Sequence, residues 1–343
     1  MTRVAVAGYG LAGRVFHVPA LLASGCEVVA VSTRDAGRTA LAQAEVPGVE
    51  VVPDLEALLA LPALDVVVLA TPSGLHARQV RAVVDAGIPC VVDKPLSVAA
   101  ASAADVVRYA ESSGVPLTVF QNRRYDPEQA TLRAVVADGL VGDPFRLEMR
   151  WERWRPEPQH RWRETAPPEE GGGLLLDLHT HLVDAAVQLL GPVRFVAAAV
   201  ASRTTRAEDD AFLLCTHEGG VTSHLSATSL AAAPGPRVRL LGTTGAYVQA
   251  DFQGEPHPWS GQADVDPDHC GWLYGEGAPV PVPRVRSAEA DLYRAVVDAL
   301  DGPDPQQRMP VDPWDAVHTL AVVDAARVAA AEQRVVPVHT PRP

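Results

Sequence analysis

Short apolar runs without helical period alternate with amphipathic stretches through the first third of the chain. Residues 4–7 (Val-Ala-Val-Ala) are uniformly apolar and end at a glycine, the pattern of a parallel strand buried on both faces. Similar runs recur at 27–31, 49–52, 65–70, 91–92 and 117–120. Helical periodicity falls between them, at 14–23, 54–60, from the turn after 70 to 86, and from about 99 to 113. Strands that alternate with helices predict a doubly wound parallel sheet. The first domain is therefore set at 1–121 and the second at 122–343. Prolines and glycines thicken at 254–285, which reads as a long surface excursion.

The first strand runs straight into Gly8-Tyr9-Gly10-Leu11-Ala12-Gly13, a G-x-G-x-x-G spacing with strand before and helix after. Such glycines permit the tight turn, the approach of a pyrophosphate and close helix–strand contact. The helix behind them offers its N–H groups and dipole to phosphate. Ligands of such sheets lie beyond the carboxyl ends of the strands. Thr71-Pro72-Ser73-Gly74-Leu75-His76 and Asp93-Lys94-Pro95 stand at two such ends. The predicted cofactor contacts are thus Gly8, Gly10, Leu11, Ala12, Gly13, Thr71, Pro72, Ser73, Leu75, His76, Asp93 and Lys94. A dinucleotide-binding Rossmann domain follows. At the end of the second strand an NAD site usually carries an acid for the ribose 2′-hydroxyl. This chain has Ser32, Thr33 and Arg34, with Arg38 nearby and no acid before Asp35. Hydroxyls and guanidinium suit a 2′-phosphate, so NADP(H) is the expected cofactor, with NAD as the alternative. An ordinary loop arginine with Asp35 turned inward is the competing explanation.

Two further features carry chemistry. Lys94 follows an apolar strand and precedes a proline. In that place a lysine can hydrogen-bond a substrate hydroxyl and stabilise developing alkoxide charge. A cis Lys94–Pro95 bond would fix its direction. Much later Gly171-Gly172-Gly173 precedes a helical run, 174–190, stopped by Gly191-Pro192. Asp177, His181, Asp184 and Gln188 share one face of that helix. A polar stripe in water would look the same. The glycines favour a ligand site because they allow close approach, and histidine suits acid–base work near neutral pH. Asp177 and His181 lack a convincing third metal ligand. His179 is turned roughly 200° from Asp177. No metal is expected.

Composition narrows the class. The chain is 47% hydrophobic and 21% charged, with net charge −13, against nucleic acid or an anionic membrane as main partner. Residues 146–163 break the trend, with Arg146, Arg150, Arg153, Arg155, Arg161 and Arg163 against Glu148, Glu152 and Glu157. That patch suits an oxygen-rich or anionic ligand, and a solvated edge strand accounts for it equally. Cys26, Cys90, Cys215 and Cys270 have no metal-ligand spacing and read as reduced, mostly buried thiols of a cytoplasmic protein. No apolar run approaches the ~20 residues of a membrane span.

These residues resemble the Gfo/Idh/MocA oxidoreductases along nearly the whole chain. Gly8–Gly13, Thr71–His76, Asp93-Lys94-Pro95 and the 171–184 segment carry the resemblance. Gly8 to His17, Asn122-Arg123-Arg124-Tyr125-Asp126, Arg153-Trp154-Arg155-Pro156-Glu157 and Arg161-Trp162-Arg163-Glu164 are similar to its NADP-dependent scyllo-inositol dehydrogenases. The resemblance implies a C-terminal α+β domain with a large, mostly antiparallel open sheet. Its candidate strands are 145–153, 193–202, 211–216, 221–228, 237–241 and 246–250. Much of one sheet face would pair with a second copy, giving a homodimer or homotetramer. The family's catalytic lysine, aspartate and histidine correspond to Lys94, Asp177 and His181. Asn122, Arg124, Tyr125, Arg155 and Trp162 become candidate polyol contacts. The implied activity is hydride transfer between nicotinamide and a secondary alcohol or ketone of a cyclitol or sugar. Alternatives are an aldose, a keto-sugar or another small carbonyl as substrate, or a non-catalytic NADP(H) sensor. Two departures stand out: Asp93 where the family usually has Glu, and His179 where it has a small residue, which is expected to add bulk near the site.

Overall fold

The computed structural model describes residues 1–159, 161–250 and 268–341, and these form two compact units. In the first, β1 (Arg3–Ala7) leads through a π-helical turn (Ala12–His17) into α1 (Val18–Ala23). Then follow β2 (Glu27–Ser32), α2 (Ala36–Glu45), β3 (Glu50–Val52), α3 (Leu55–Leu59) and β4 (Val66–Leu69). The series closes with α4 (His76–Asp85), β5 (Cys90–Asp93), α5 (Ala100–Ser113) and β6 (Leu117–Phe120). The six strands are all parallel, in the order β3-β2-β1-β4-β5-β6. Val66–Leu69 and Leu117–Phe120 are buried throughout, as strands covered on both faces must be. The strand order reverses between β1 and β4, which is where ligands of such sheets sit.

The second unit begins with α6 (Pro127–Ala137) and β7 (Pro144–Glu152), then α7 (Trp162–Thr165). A π-helical turn (Leu175–His179) opens α8 (Thr180–Leu190), and β8 (Val193–Ala201), β9 (Asp210–His217) and β10 (Thr222–Thr228) follow. The sheet is completed by β11 (Val238–Gly242), β12 (Ala246–Gln249), β13 (His269–Tyr274), β14 (Val280–Pro283) and β15 (Val336–Pro337). Its nine strands run β14-β13-β12-β11-β7-β10-β9-β8-β15. All neighbours are antiparallel except β7 and β10. Along β9 and β10 alternate residues are buried, so one face is core, formed in part by Ala211, Leu213, Cys215, Leu225 and Ala227. Phe212 and Leu214 of β9 point the other way and stay exposed.

The expected doubly wound sheet and the mostly antiparallel sheet are both present. Three local differences have physical reasons. The helix α2 was not foreseen: it buries only Ala42 and so shows no apolar stripe, and Asp35 starts it by accepting from the Arg38 N–H. The expected surface excursion at 254–285 is corrected over its latter part, where β13 and β14 extend the sheet. Residues 251–267 lie outside the described residues. The chain also does not divide at a single point. Residues Ala288–Val317 belong to the first unit, with α9 (Glu289–Leu300) and α10 (Pro305–Arg308) preceding α11 (Pro313–Glu332). α9 buries Ala290, Leu292, Tyr293, Val296 and Ala299 on one side and packs against α1. All four cysteines are buried and unpaired. Among the described residues no helix is long and apolar enough to cross a membrane.

Candidate active site

The residues with chemistry fall in both units. In the first, the turn after β1 requires its glycines. Gly8 has φ +100°, and a Cβ there would lie 2.7 Å from the Ala70 carbonyl oxygen. A Cβ on Gly13 would meet the Gly8 oxygen at 2.0 Å. Gly10 is different. Its Cβ would meet only Arg38 Nη1, at 3.9 Å, so the loop leaves open space beside its backbone. Leu11, next in the loop, is 69% exposed. A cradle of this shape, with a guanidinium at its rim, fits the pyrophosphate and ribose of a dinucleotide. Tyr9, which sequence reading did not single out, braces the loop: its hydroxyl donates to Glu45 Oε2 at 2.7 Å, and Arg14 pairs with the same carboxylate.

The residues after β2 separate into distinct roles. Ser32 is buried, and its hydroxyl and carbonyl oxygens both accept from the Gly8 N–H at 3.2 Å. Thr33 Oγ1 accepts from the Asp35 N–H. Arg34 pairs with Asp54 at 2.8 Å. Asp35 caps α2, so its carboxylate is engaged with backbone. Arg38 has no carboxylate in ion-pair reach among the described residues.

At the ends of β4 and β5 the two predicted loops are tied together. His76 is buried, with Nδ1 2.7 Å from the Pro95 oxygen and Nε2 2.8 Å from the Thr71 oxygen. Burial pulls the imidazole below its usual range despite nearby Asp93. A neutral ring has one N–H to donate, so it serves one carbonyl at a time. His76 therefore links two loops through backbone. The Thr71 hydroxyl meets Gln79, Ser73 is buried, and Pro72 is exposed. Asp93 Oδ1 accepts from the Lys94 N–H at 2.8 Å, and the Lys94–Pro95 peptide is cis, as the sequence suggested. Burial alone would raise the Asp93 carboxyl. His17, Lys94 and His76 outweigh it and hold the group below its usual range. Lys94 carries a signal that pattern reading passed over: of 29 lysines and arginines in the chain it is the only lysine.

In the second unit Asp177 lies on the π-helical turn and His181, four residues on, at the start of α8. Asp177 Oδ1 is 3.4 Å from Arg163 Nε, and Arg163 stacks over Trp162. Arg153, Arg155, Arg161 and Arg163 line one cleft with Asp177. His181 is 7% exposed and stacks on Trp151, ring centres 5.6 Å apart. Trp151, on β7, was not foreseen. It is also covered by Arg237 at 4.3 Å, with Arg153 at 5.4 Å and Arg123 at 5.6 Å. Burial, together with Arg123 and Arg153, brings the Arg237 guanidinium down to about 9.

Two of the other expected contacts are engaged within the fold. Arg124 makes a bidentate pair with buried Asp184, at 2.9 Å and 2.5 Å. Asn122, in the first unit, donates from Nδ2 to Glu289 at 2.6 Å. Tyr125 is half-buried and Trp162 is 37% exposed. The glycines before the helix serve packing: a Cβ on Gly172 would lie 1.9 Å from the Ala166 oxygen, and one on Gly173 2.0 Å from Glu208 Cδ. His179 does not add bulk to the cleft. It is fully buried, with Nε2 3.3 Å from the Leu225 carbonyl oxygen on β10.

Burial brings His179 down to about 4. The unfolded chain then binds a proton that the folded chain refuses between about pH 6.5 and 4, so this residue costs stability as pH falls through that window, by up to about 3 kcal/mol. His179→Gln keeps a donor for Leu225 without titrating. Urea unfolding at pH 7.5 and pH 5 should show the variant losing less stability than the parent; equal losses would contradict the assignment.

Residues 2–121 match the NAD-binding Rossmann domain of the Gfo/Idh/MocA oxidoreductase family, and 129–248 match that family's C-terminal domain. The chain is 30% identical to a scyllo-inositol 2-dehydrogenase (NADP(+)) of Bacillus subtilis, over 97% of this chain and 95% of the relative. It is 31% identical to a D-apiose dehydrogenase of Paraburkholderia graminis, over 91% and 83%. An oxidoreductase structure from Yersinia pestis superposes with TM-score 0.86 at 28% identity, covering 99% of this chain and 98% of that one. A glycine cradle for a dinucleotide, a lysine at a strand end and an Asp–His helix thus occur in a chain that belongs to the Gfo/Idh/MocA family of NAD(P)-dependent oxidoreductases acting on sugars or cyclitols.

Proposed function

We propose that the protein is an NADP(H)-dependent dehydrogenase of a secondary hydroxyl on a cyclitol or sugar ring, with scyllo-inositol as the first candidate substrate. The observation that carries this reading is Lys94. A chain that otherwise uses only arginine keeps one lysine, just past the carboxyl end of β5 beside a half-buried carboxylate. An ammonium is a compact point charge with three rotatable donors, whereas a guanidinium is a planar fork of fixed geometry. Chemistry at a single oxygen favours the former.

When bound, the cofactor supplies the nicotinamide carbon that accepts or returns hydride. Gly8, Gly10 and Gly13 would hold its pyrophosphate, and Arg38 would hold a 2′-phosphate. Thr33 and Arg34 are secondary contacts there. Lys94 donates a hydrogen bond from Nζ to the reacting oxygen and stabilises its developing charge. His181 takes the hydroxyl proton in oxidation and returns it in reduction. Asp177 orients the substrate through its hydroxyls. Arg155 and Trp162 supply polar and ring contacts to the remaining polyol. The activity of the Bacillus subtilis relative supports the choice of cyclitol and of NADP.

The test is the initial rate of NADPH formation with scyllo-inositol, beside NAD+ and beside myo-inositol, glucose and apiose. Turnover should favour scyllo-inositol with NADP+. Arg38→Ala should raise KM for NADP+ on the order of 10-fold, about one lost charge-assisted contact, and leave NAD+ nearly unchanged. Absence of turnover with every polyol would overturn the reading. We also infer self-association through the outward face of the second sheet, where Phe212 and Leu214 lie exposed beside the alanine-rich β8. Light scattering should give at least twice the 36.3 kDa chain mass, and Phe212→Glu should lower it; a monomer in the parent would refute it.

A further inference from the structure

Behind Lys94 lies a buried polar cluster that the proposed reaction does not use. His17 ends the π-helical turn after the glycine loop and has no exposed surface. Its Nδ1 is 2.6 Å from the Tyr293 hydroxyl on α9. Its Nε2 faces Asp93 Oδ1 at 3.9 Å, an electrostatic contact beyond hydrogen-bond length, and has no hydrogen-bond partner of its own. The ring packs on Phe120 of β6, centres 4.0 Å apart, and Phe120 packs in turn on Tyr293 at 5.5 Å. Tyr293 is 1% exposed.

A fully buried imidazole is costly unless its polar atoms are used. Packing alone would be served by Phe or Leu at this position, lined as it is by Phe120. The histidine instead presents one nitrogen to a phenol and the other to a carboxylate. That carboxylate accepts the backbone N–H of Lys94, so its position sets where the lysine leaves the strand. The π-helical turn is part of the device. Such turns insert one residue into a helix and often mark functional sites, and this one ends on His17.

We propose that His17 and Tyr293 are positioning residues for Lys94, holding the Asp93 carboxylate that fixes the root of the lysine side chain. Tyr293 orients the imidazole, the imidazole faces Asp93, and Asp93 anchors the Lys94 N–H. Neither His17 nor Tyr293 touches substrate. The proposal rests on the reading of Lys94 as the group that addresses the reacting oxygen, and its test does not need a known substrate.

Because Lys94 is the only lysine, reductive methylation with ¹³C-formaldehyde labels it and the N-terminal amine alone, and Lys94→Arg identifies its signal. Two variants disturb the cluster to different extents. Tyr293→Phe removes one hydroxyl, and His17→Phe keeps a ring against Phe120 but removes both nitrogens. The Lys94 methyl resonance of the full chain should move in both variants, further in His17→Phe. NADPH affinity, read by fluorescence, should hold within about two-fold, since the cradle glycines are untouched. In unlabelled enzyme turning over a polyol, kcat should fall on the order of 10- to 100-fold in His17→Phe, the scale of a misplaced catalytic group, with little change in KM. Asp93→Asn combined with His17→Phe should add little further loss, because both act along one path. A Lys94 signal that superposes on the parent's in both variants would overturn the proposal. So would a kcat loss that simply multiplies in the double variant. If His17→Phe fails to fold, Tyr293→Phe carries the test. A parent enzyme without polyol turnover would count against the proposed function alone, since the Lys94 signal stays readable.

Discussion

A carboxylate at the end of a buried strand has to be compensated, and much of the first unit is arranged around that requirement. Asp93 closes β5 with its side chain mostly shielded from water, where an unpaired charge would be expensive. Its own neighbour Lys94, the imidazoles of His17 and His76, and the Lys94 N–H share the compensation. The two imidazoles come from different parts of the chain. His17 follows the glycine turn after β1, and His76 follows β4 and reaches back to Pro95. Tyr293 arrives from α9, far along the chain. The loops that would hold a dinucleotide and the lysine that would act on its partner are therefore braced against one largely shielded carboxylate.

The parallel sheet was legible because its inner strands are buried on both faces and so appear as short, valine-rich apolar runs. The glycine turn was legible because Gly8 and Gly13 have no alternative in a turn this tight. The helix α2 was not, because it covers little apolar surface. Assignment of 288–317 to the first unit depends on which surface the buried side of α9 meets, and periodicity shows only that such a side exists. β13 and β14 are short and rich in glycine and proline nearby, which reads locally as loop.

The site was legible in its residue types and less so in their partners. Lys94 and the Asp177–His181 face stood out by position. That Arg124 would be bound by Asp184, and Asn122 by Glu289, depends on tertiary neighbours that no spacing reveals. The same holds for His179, which spacing already turned away from Asp177 but whose depth in the core only β10 explains. Trp151 was hidden in an arginine-rich stretch that drew attention for its charge. It is the surface on which His181 rests.

The central claim is that the one lysine is kept because its ammonium acts on the substrate oxygen. Lys94→Arg preserves the charge and much of the length. The direct measurement is its kcat on the polyol the parent turns over, with NADPH affinity measured on the same preparation. The account predicts that kcat falls by about 10²-fold or more, the scale of losing one preorganised donor at a developing charge, while NADPH still binds. An arginine variant with near-parental kcat would contradict it.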